Sequence, residues 1–131
     1  MITESILISI KKMLGIEKED TDFDTDIIIH INTALMDLTQ LGVGPEEGFM
    51  IQNDTNTWNE FLGYSSGSSS PYPYSEATST KIEAVKTCVY LKVKLVFDPP
   101  ESSSQIEAIN RQIDRLEWRI NVQAESTKKE G

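Results

Sequence analysis

The chain has very few of the residues from which metal and catalytic sites are usually built. Among its 131 residues there is one cysteine, Cys88, and one histidine, His30. A single cysteine excludes a disulfide within the chain and fits a reducing compartment. A zinc site needs several Cys or His ligands, and a catalytic dyad needs a nucleophile beside an oriented base. We therefore interpret His30 as a surface or boundary residue and Cys88 as a core residue, and we expect no cofactor and no metal.

Positive charge is also scarce. Twelve Lys and Arg residues stand against 21 Asp and Glu, which gives a formal net charge of -9. The whole excess lies in residues 1–60, which hold twelve acids and three lysines, whereas residues 61–131 are balanced. A protein that grips nucleic acid needs clustered basic residues, so tight binding of this kind is disfavoured. An acidic surface along which nucleic acid slides remains compatible with the composition, because it repels phosphate.

Long apolar runs are missing as well. Runs such as Ile27–Ile29 are far shorter than the about 20 residues that a membrane-spanning helix needs. The N-terminus lacks the basic start and apolar stretch of a signal peptide, so we expect a cytoplasmic protein. Hydrophobic residues make up 38% of the chain and charged residues 25%, as in a globular protein of one domain.

Alternating aspartates over residues 20–26 are the strongest candidate for a metal site. A calcium-binding EF-hand loop needs glycine at its sixth position and a bidentate glutamate at its twelfth. Counted from Asp20, those positions hold Thr25 and Ile31, so the pattern fails at both. We interpret the segment as an acid-rich helix entry, where carboxylates favour the helix N-terminus.

Helical periodicity dominates the rest of the chain. It predicts an all-α protein, a small bundle of three to four main helices with a long irregular loop. We assign residues 1–123 to one helical domain, 63–75 to a flexible Ser/Tyr/Pro loop within it, and 124–131 to a disordered C-terminal tail. The predicted helices are Glu4–Leu14, Thr25–Leu41, a short helix entered at Thr57 and ending at Leu62, Lys81–Phe97 and Gln105–Val122.

Local signals mark the helix ends. Thr3 and Asp24 are the expected N-caps of the first two helices, and Gly15 and Gly42 the expected stops. Capping boxes are predicted at three further entries: Thr57 with Glu60, Thr80 with Glu83, and Ser104 with Glu107.

Two apolar stripes indicate which faces of the last two helices are buried, with the lysines of the fourth helix on its solvated side. The stripe of the fourth helix is Ile82, Val85, Val89, Val93 and Val96; that of the fifth is Ile106, Ile109, Ile113, Leu116 and Ile120. The lysines are Lys81, Lys86, Lys92 and Lys94.

Trp118 lies off the stripe of the fifth helix, next to Arg119. Two interpretations are open. A large aromatic residue beside arginine is typical of contacts between subunits. Alternatively, Trp118 widens the buried face of its own helix.

Several segments, taken in order, resemble the head–tail connector (adaptor) family of tailed phages and prophages. The segments with the greatest weight are Gln40-Leu41-Gly42-Val43-Gly44-Pro45 and Phe97-Asp98-Pro99-Pro100. They are accompanied by Phe23-Asp24, His30-Ile31-Asn32, Phe49, Trp58, Val89-Tyr90-Leu91-Lys92 and Glu117-Trp118-Arg119. The resemblance covers about residues 1–123; the loop from Tyr64 to Tyr74 is longer than the family pattern.

The resemblance implies a non-enzymatic subunit of a closed ring beneath the phage portal. Such a ring extends the DNA channel and receives the next connector, stopper or tail protein, and DNA is only non-specific cargo. The subunits assemble in the bacterial cytoplasm and end in the virion neck. Candidate residues of the subunit interface are Asp98, Pro99, Pro100, Arg115, Trp118 and Arg119. A candidate structural motif comprises Gln40, Leu41, Gly42, Gly44, Pro45, Phe49 and Trp58.

Two other classes of protein are alternatives to a connector subunit. A small cytoplasmic helical module that binds a protein partner as a monomer or dimer would share the composition and the helices. A small enzyme would need polar groups that converge in a pocket, and the sequence offers no candidates for them.

Overall fold

The computed structural model describes residues 5–45, 47–62 and 76–130. Within these ranges the chain is an all-α bundle of five helices without a β-strand. The helices are α1 (Ile6–Leu14), α2 (Asp24–Gln40), α3 (Trp58–Leu62), α4 (Glu76–Phe97) and α5 (Ser103–Glu130). The predicted fold class is therefore confirmed, while the loop predicted over 63–75 lies outside the described residues.

Helix α4 is the centre of the bundle. It packs against α2 on one side and α5 on the other, and α1 contacts both α2 and α4. The core is formed by apolar side chains with almost no solvent exposure, in agreement with the predicted stripes. Its members include Ile6, Ile10, Ile31, Leu35, Leu38, Val85, Val89, Val93, Ile113 and Ile120.

One residue of the apolar stripe predicted for α4 is not buried. Val96, predicted to be buried, is 60% exposed, because the stripe turns away from the core in the last turn of the helix. The stripe of α5 is confirmed, with Ile113 and Ile120 buried and the other members half-buried.

Most helix starts differ from the predictions, whereas the stops of α1 to α4 agree with them within one residue. Ser5 is the N-cap of α1, and its hydroxyl accepts a hydrogen bond from the amide of Ile8 at 3.2 Å; the predicted cap, Thr3, lies outside the described residues. Asp24 is the first residue of α2 rather than its cap, and Phe23 precedes it without a side-chain cap. Gly15 and Gly42 both adopt positive φ after their helices, as predicted.

Two of the three predicted capping boxes are wrong. The box at Thr57 forms: its hydroxyl accepts from the amide of Glu60, and the Glu60 carboxylate accepts from the amide of Thr57, both at 3.2 Å. Thr80 instead lies inside α4, which begins at Glu76. Ser104 lies inside α5, where Ser102 takes the capping position and accepts from the amide of Gln105.

Helix α5 is longer than predicted at its C-terminal end. It continues to Glu130, so the end predicted at Val122 was wrong. The predicted disorder of residues 124–131 concerns their behaviour in solution, which the helix bounds do not test, so it stays a prediction.

Candidate subunit interface

Trp118 lies on the outer side of α5. It is 68% exposed, which is the largest exposure among the large hydrophobic residues that the structure describes. It therefore does not widen the buried face of its own helix, and the second of the two interpretations is wrong. Arg115 and Arg119 are exposed on the same helix. A tryptophan beside arginines on an open helix face is the composition of a contact between proteins, so its interface role remains the working prediction.

Three arginines of α5 form a row along the helix, and only two of them, Arg115 and Arg119, were predicted to be interface residues. Arg111, Arg115 and Arg119 follow each other at intervals of four residues and line a shallow groove of about 380 Å³. The apolar parts of the groove come from Ala108 and Leu116. Arg111 was not predicted as an interface residue; the four-residue spacing, which places side chains on one helix face, was the available signal.

The corner between α4 and α5 is a second and separate candidate. Asp98 and Pro99 are exposed and Pro100 is half-buried. The amide of Asp98 closes the last turn of α4 by donating to the carbonyl of Lys94 at 2.9 Å, and the two side chains are 3.7 Å apart. The adjacent Phe97 meets Phe23 edge to face, with ring centroids 5.6 Å apart.

The structure does not bring this corner together with Trp118. Helix α5 begins at Ser103, and at 1.5 Å per residue roughly 22 Å of helix separate its first residue from Trp118. The six candidate interface residues therefore belong to two surfaces, one at the end of α5 and one along its side.

An ion network joins the three long helices at their common groove. The ammonium group of Lys92 on α4 lies 2.8 Å from a carboxylate oxygen of Asp37 on α2 and 2.9 Å from one of Glu117 on α5. Burial alone would lower the pKa of Lys92, but hydrogen bonds to Asp37 and Glu117 outweigh it and raise the pKa above 10.5. Lys92 was predicted to be a solvated lysine. That prediction was wrong, because its partners come from helices that are distant in sequence.

The groove that holds this ion network has a volume of about 390 Å³ and lies on the other side of α5 from the arginine groove. Asp37, Asp114 and Glu117 give it an acidic lining, and the exposed Val96 gives it an apolar edge. His30 also lines it and is half-buried, as expected for a boundary residue.

The predicted structural motif begins at the C-terminal end of α2. Gln40 is the last residue of the helix and Leu41 its C-cap; the half-buried Gly42 follows with a φ of 95°. The carbonyl of Leu41 accepts a hydrogen bond from the Asn121 side chain at 3.2 Å, which links this turn to α5.

Gly44 is required at its position for two reasons. Its φ is +80°, and a Cβ added there would lie 2.6 Å from Cε1 of Phe61. The half-buried Pro45 follows, and Phe49 packs on Phe61 with ring centroids 5.5 Å apart. The segment after α2 is thereby folded back onto α3.

Trp58 anchors α3 to α1. It is fully buried, and its indole N–H donates to the hydroxyl of Ser9 at 2.8 Å. Gly44, Phe49 and Trp58 thus form contacts inside one subunit.

The acidic segment before α2 is organised around a buried lysine that the sequence did not reveal. Lys11 is 1% exposed, and its ammonium group lies 2.8 Å from a carboxylate oxygen of Asp24. The same group donates to the carbonyls of Lys18 and Asp20, at 3.2 and 2.5 Å. Among the aspartates of residues 20–26, Asp24 therefore pairs with a cation of the protein itself.

Taken together, these features define a helical protein whose exposed chemistry is suited to protein contact. In residues 5–45, 47–62 and 76–130 no group of three or more His, Cys, Asp or Glu side chains could hold a metal ion. No helix in the described part of the chain is long and apolar enough to cross a membrane.

Comparison with known families identifies the class more closely. The family model described as "Phage connector protein" matches residues 6–127, which is nearly the whole chain. The protein therefore belongs to a phage head–tail connector family, and the resemblance seen in the sequence is confirmed. Family membership indicates a connector role in a phage particle, and the family is structural rather than enzymatic. Neither a curated protein nor a solved structure gave a significant match.

Proposed function

We propose that this protein is the subunit of a connector ring that lies beneath the portal in the virion neck, extends the DNA channel and receives the next tail-side protein. The observation that supports this most directly is the match to the connector family over residues 6–127. Subunits of this kind assemble in the bacterial cytoplasm and bind the portal on one side and a stopper or tail protein on the other.

The exposed face of α5 supports self-assembly. A tryptophan that is 68% exposed is costly for a protein that acts alone, because a large apolar surface remains in water. A neighbouring copy that covers Trp118 removes this cost, and Arg115 and Arg119 add charged contacts around it. The corner at Asp98, Pro99 and Pro100 is a second contact, at the end of the bundle.

The charge distribution supports a channel role. Residues 1–60 carry the whole net charge of -9. In our proposal this half faces the channel, where negative charge keeps DNA mobile because it repels phosphate. A ring whose lumen is lined by lysine and arginine would contradict this orientation.

The test is assembly with the portal protein of the same phage. The purified chain is mixed with the portal, and particles are examined by negative-stain electron microscopy and mass photometry. We expect annular particles with the wild type and far fewer with Trp118→Ser. Met50→Ser is the matched control, since Met50 is 65% exposed but lies outside α5.

Two results would contradict the proposal. Absence of annular particles with the portal present would favour a helical binding module that acts as a monomer or dimer. Equal loss of assembly with Trp118→Ser and Met50→Ser would show that exposed apolar area in general, and not the α5 face, drives the association.

A further inference from the structure

Helix α5 carries grooves of opposite charge on its two sides. The residues of α5 that line the first groove include Arg111, Arg115 and Arg119, and those that line the second include Asp114 and Glu117. At 3.6 residues per turn, the complete α5 linings of the two grooves point roughly 180° apart about the helix axis, and the charged residues named here about 130° apart. The balanced net charge of residues 61–131 therefore conceals a separation of basic and acidic groups.

The basic groove has the chemistry to receive carboxylates. None of its three arginine side chains forms an ion pair or a hydrogen bond with another residue in the described part of the chain. Guanidinium groups bind carboxylates through two parallel hydrogen bonds, and the four-residue spacing presents three such groups in one row. Ala108 and Leu116 line the same groove and add apolar surface to it.

The acidic groove offers a matching surface. It holds Asp37, Asp114 and Glu117 against the single cation Lys92, so it keeps a net negative charge. Asp114 is exposed and has no ion pair within the described ranges. The acidic groove also has an apolar border, the side chain of Val96, which is 60% exposed. Ala108 and Leu116 have the corresponding role in the basic groove.

We propose that the basic groove of one copy docks against the acidic groove of the next copy, with Trp118 at the outer edge of the contact. Because the two grooves face opposite directions, one partner cannot fill both, and each copy needs two neighbours. A contact between different faces repeats head to tail and closes into a ring when the rotation allows. This inference rests on the proposed connector function and specifies which surfaces meet.

The experiment is a charge exchange between the two grooves. A basic-groove variant carries Arg111→Glu and Arg115→Glu. An acidic-groove variant carries Asn110→Arg and Asp114→Arg, since both residues line that groove on α5. A control variant carries Lys12→Glu and Lys18→Glu, two exposed lysines outside both grooves. Its change in net charge equals that of the basic-groove variant. Circular dichroism verifies that each variant retains its helix content.

Assembly is measured by sedimentation velocity and electron microscopy, with and without the portal. Each groove variant alone should self-associate at least about tenfold more weakly than the wild type, because like charges then face each other. An equimolar mixture of the two should recover assembly, since in alternating order every contact again joins opposite charges. The control variant should assemble like the wild type.

Three outcomes would overturn the inference. If both groove variants assemble alone as well as the wild type, these grooves are not the contact, although the connector function stands. If the mixture fails to recover and the basic-groove variant instead loses retention on duplex DNA, the arginines bind phosphate. If the wild type forms no assemblies with the portal, the proposed function fails and this inference fails with it.

Discussion

Trp58 and Ser9 provide the sharpest test of the contacts that hold α3 on α1. Both residues are almost fully buried, and the indole N–H donates to the serine hydroxyl at 2.8 Å. Ser9→Ala leaves that N–H without a partner, which costs about 1–3 kcal/mol. Trp58→Phe removes both the hydrogen bond and part of the ring, and we expect a loss of about 2–3 kcal/mol.

The double variant measures the coupling between the two residues. Once Ser9 is alanine, Trp58→Phe no longer breaks a hydrogen bond and even removes an unpaired donor. The double variant should therefore be more stable than the sum of the single losses predicts, by about 1 kcal/mol. The free energies of unfolding come from urea titrations followed by far-ultraviolet circular dichroism.

Ser103→Ala is the matched control, because Ser103 is exposed in the first turn of α5. It should change the free energy of unfolding by less than about 0.5 kcal/mol. Strictly additive losses from Ser9→Ala and Trp58→Phe would refute the reasoning, since the buried hydrogen bond would then contribute nothing specific.

Three further predictions concern single positions. Gly44→Ala should cost at least about 2 kcal/mol in urea titrations, because it adds a clash with Phe61 to the strain of positive φ; Gly15→Ala, with φ of 82° and open space around it, should cost only about 1 kcal/mol. Burial raises the pKa of Cys88 to about 12. At pH 8 its labelling by a maleimide should be at least about 100-fold slower in the folded protein than in urea, and rapid labelling of folded protein would contradict the buried position. Lys92→Met should cost about 1–2 kcal/mol at pH 7, because two carboxylates then lose their shared cation. The stabilisation that comes from the raised pKa of Lys92 is complete below pH 10.5 and is lost as the pH rises through the folded-state pKa; urea titrations across this range check the sign.

The helices were predictable from the sequence because periodic apolar residues report a buried face directly. The stripe of α5 and the stop at Gly15 depend on residues within a few positions of each other, and both are correct. Helix starts were less predictable. Serines occupy positions 102–104 in succession, and each is chemically able to cap a helix, so the pattern does not determine which one does.

The ion networks could not be predicted for a different reason. The partners of Lys92 lie 55 residues before it and 25 residues after it, on other helices. No local pattern reports that three helices will bring these side chains together. The buried Lys11 shows the same limit, since its position in the first helix does not reveal the backbone carbonyls that surround its ammonium group.

The arrangement of charge on α5 shows why composition alone says little about the interface that we propose. A balanced count of acids and bases suggests a surface that is free to pack without electrostatic preference. The same count, separated into grooves on opposite sides of one helix, produces a strong preference: like grooves repel and unlike grooves attract. Such a surface disfavours pairing of identical faces and favours a repeating contact between different faces. That is the contact a ring of identical subunits needs, and it depends on where Arg111, Arg115 and Asp114 lie rather than on how many charges the chain contains.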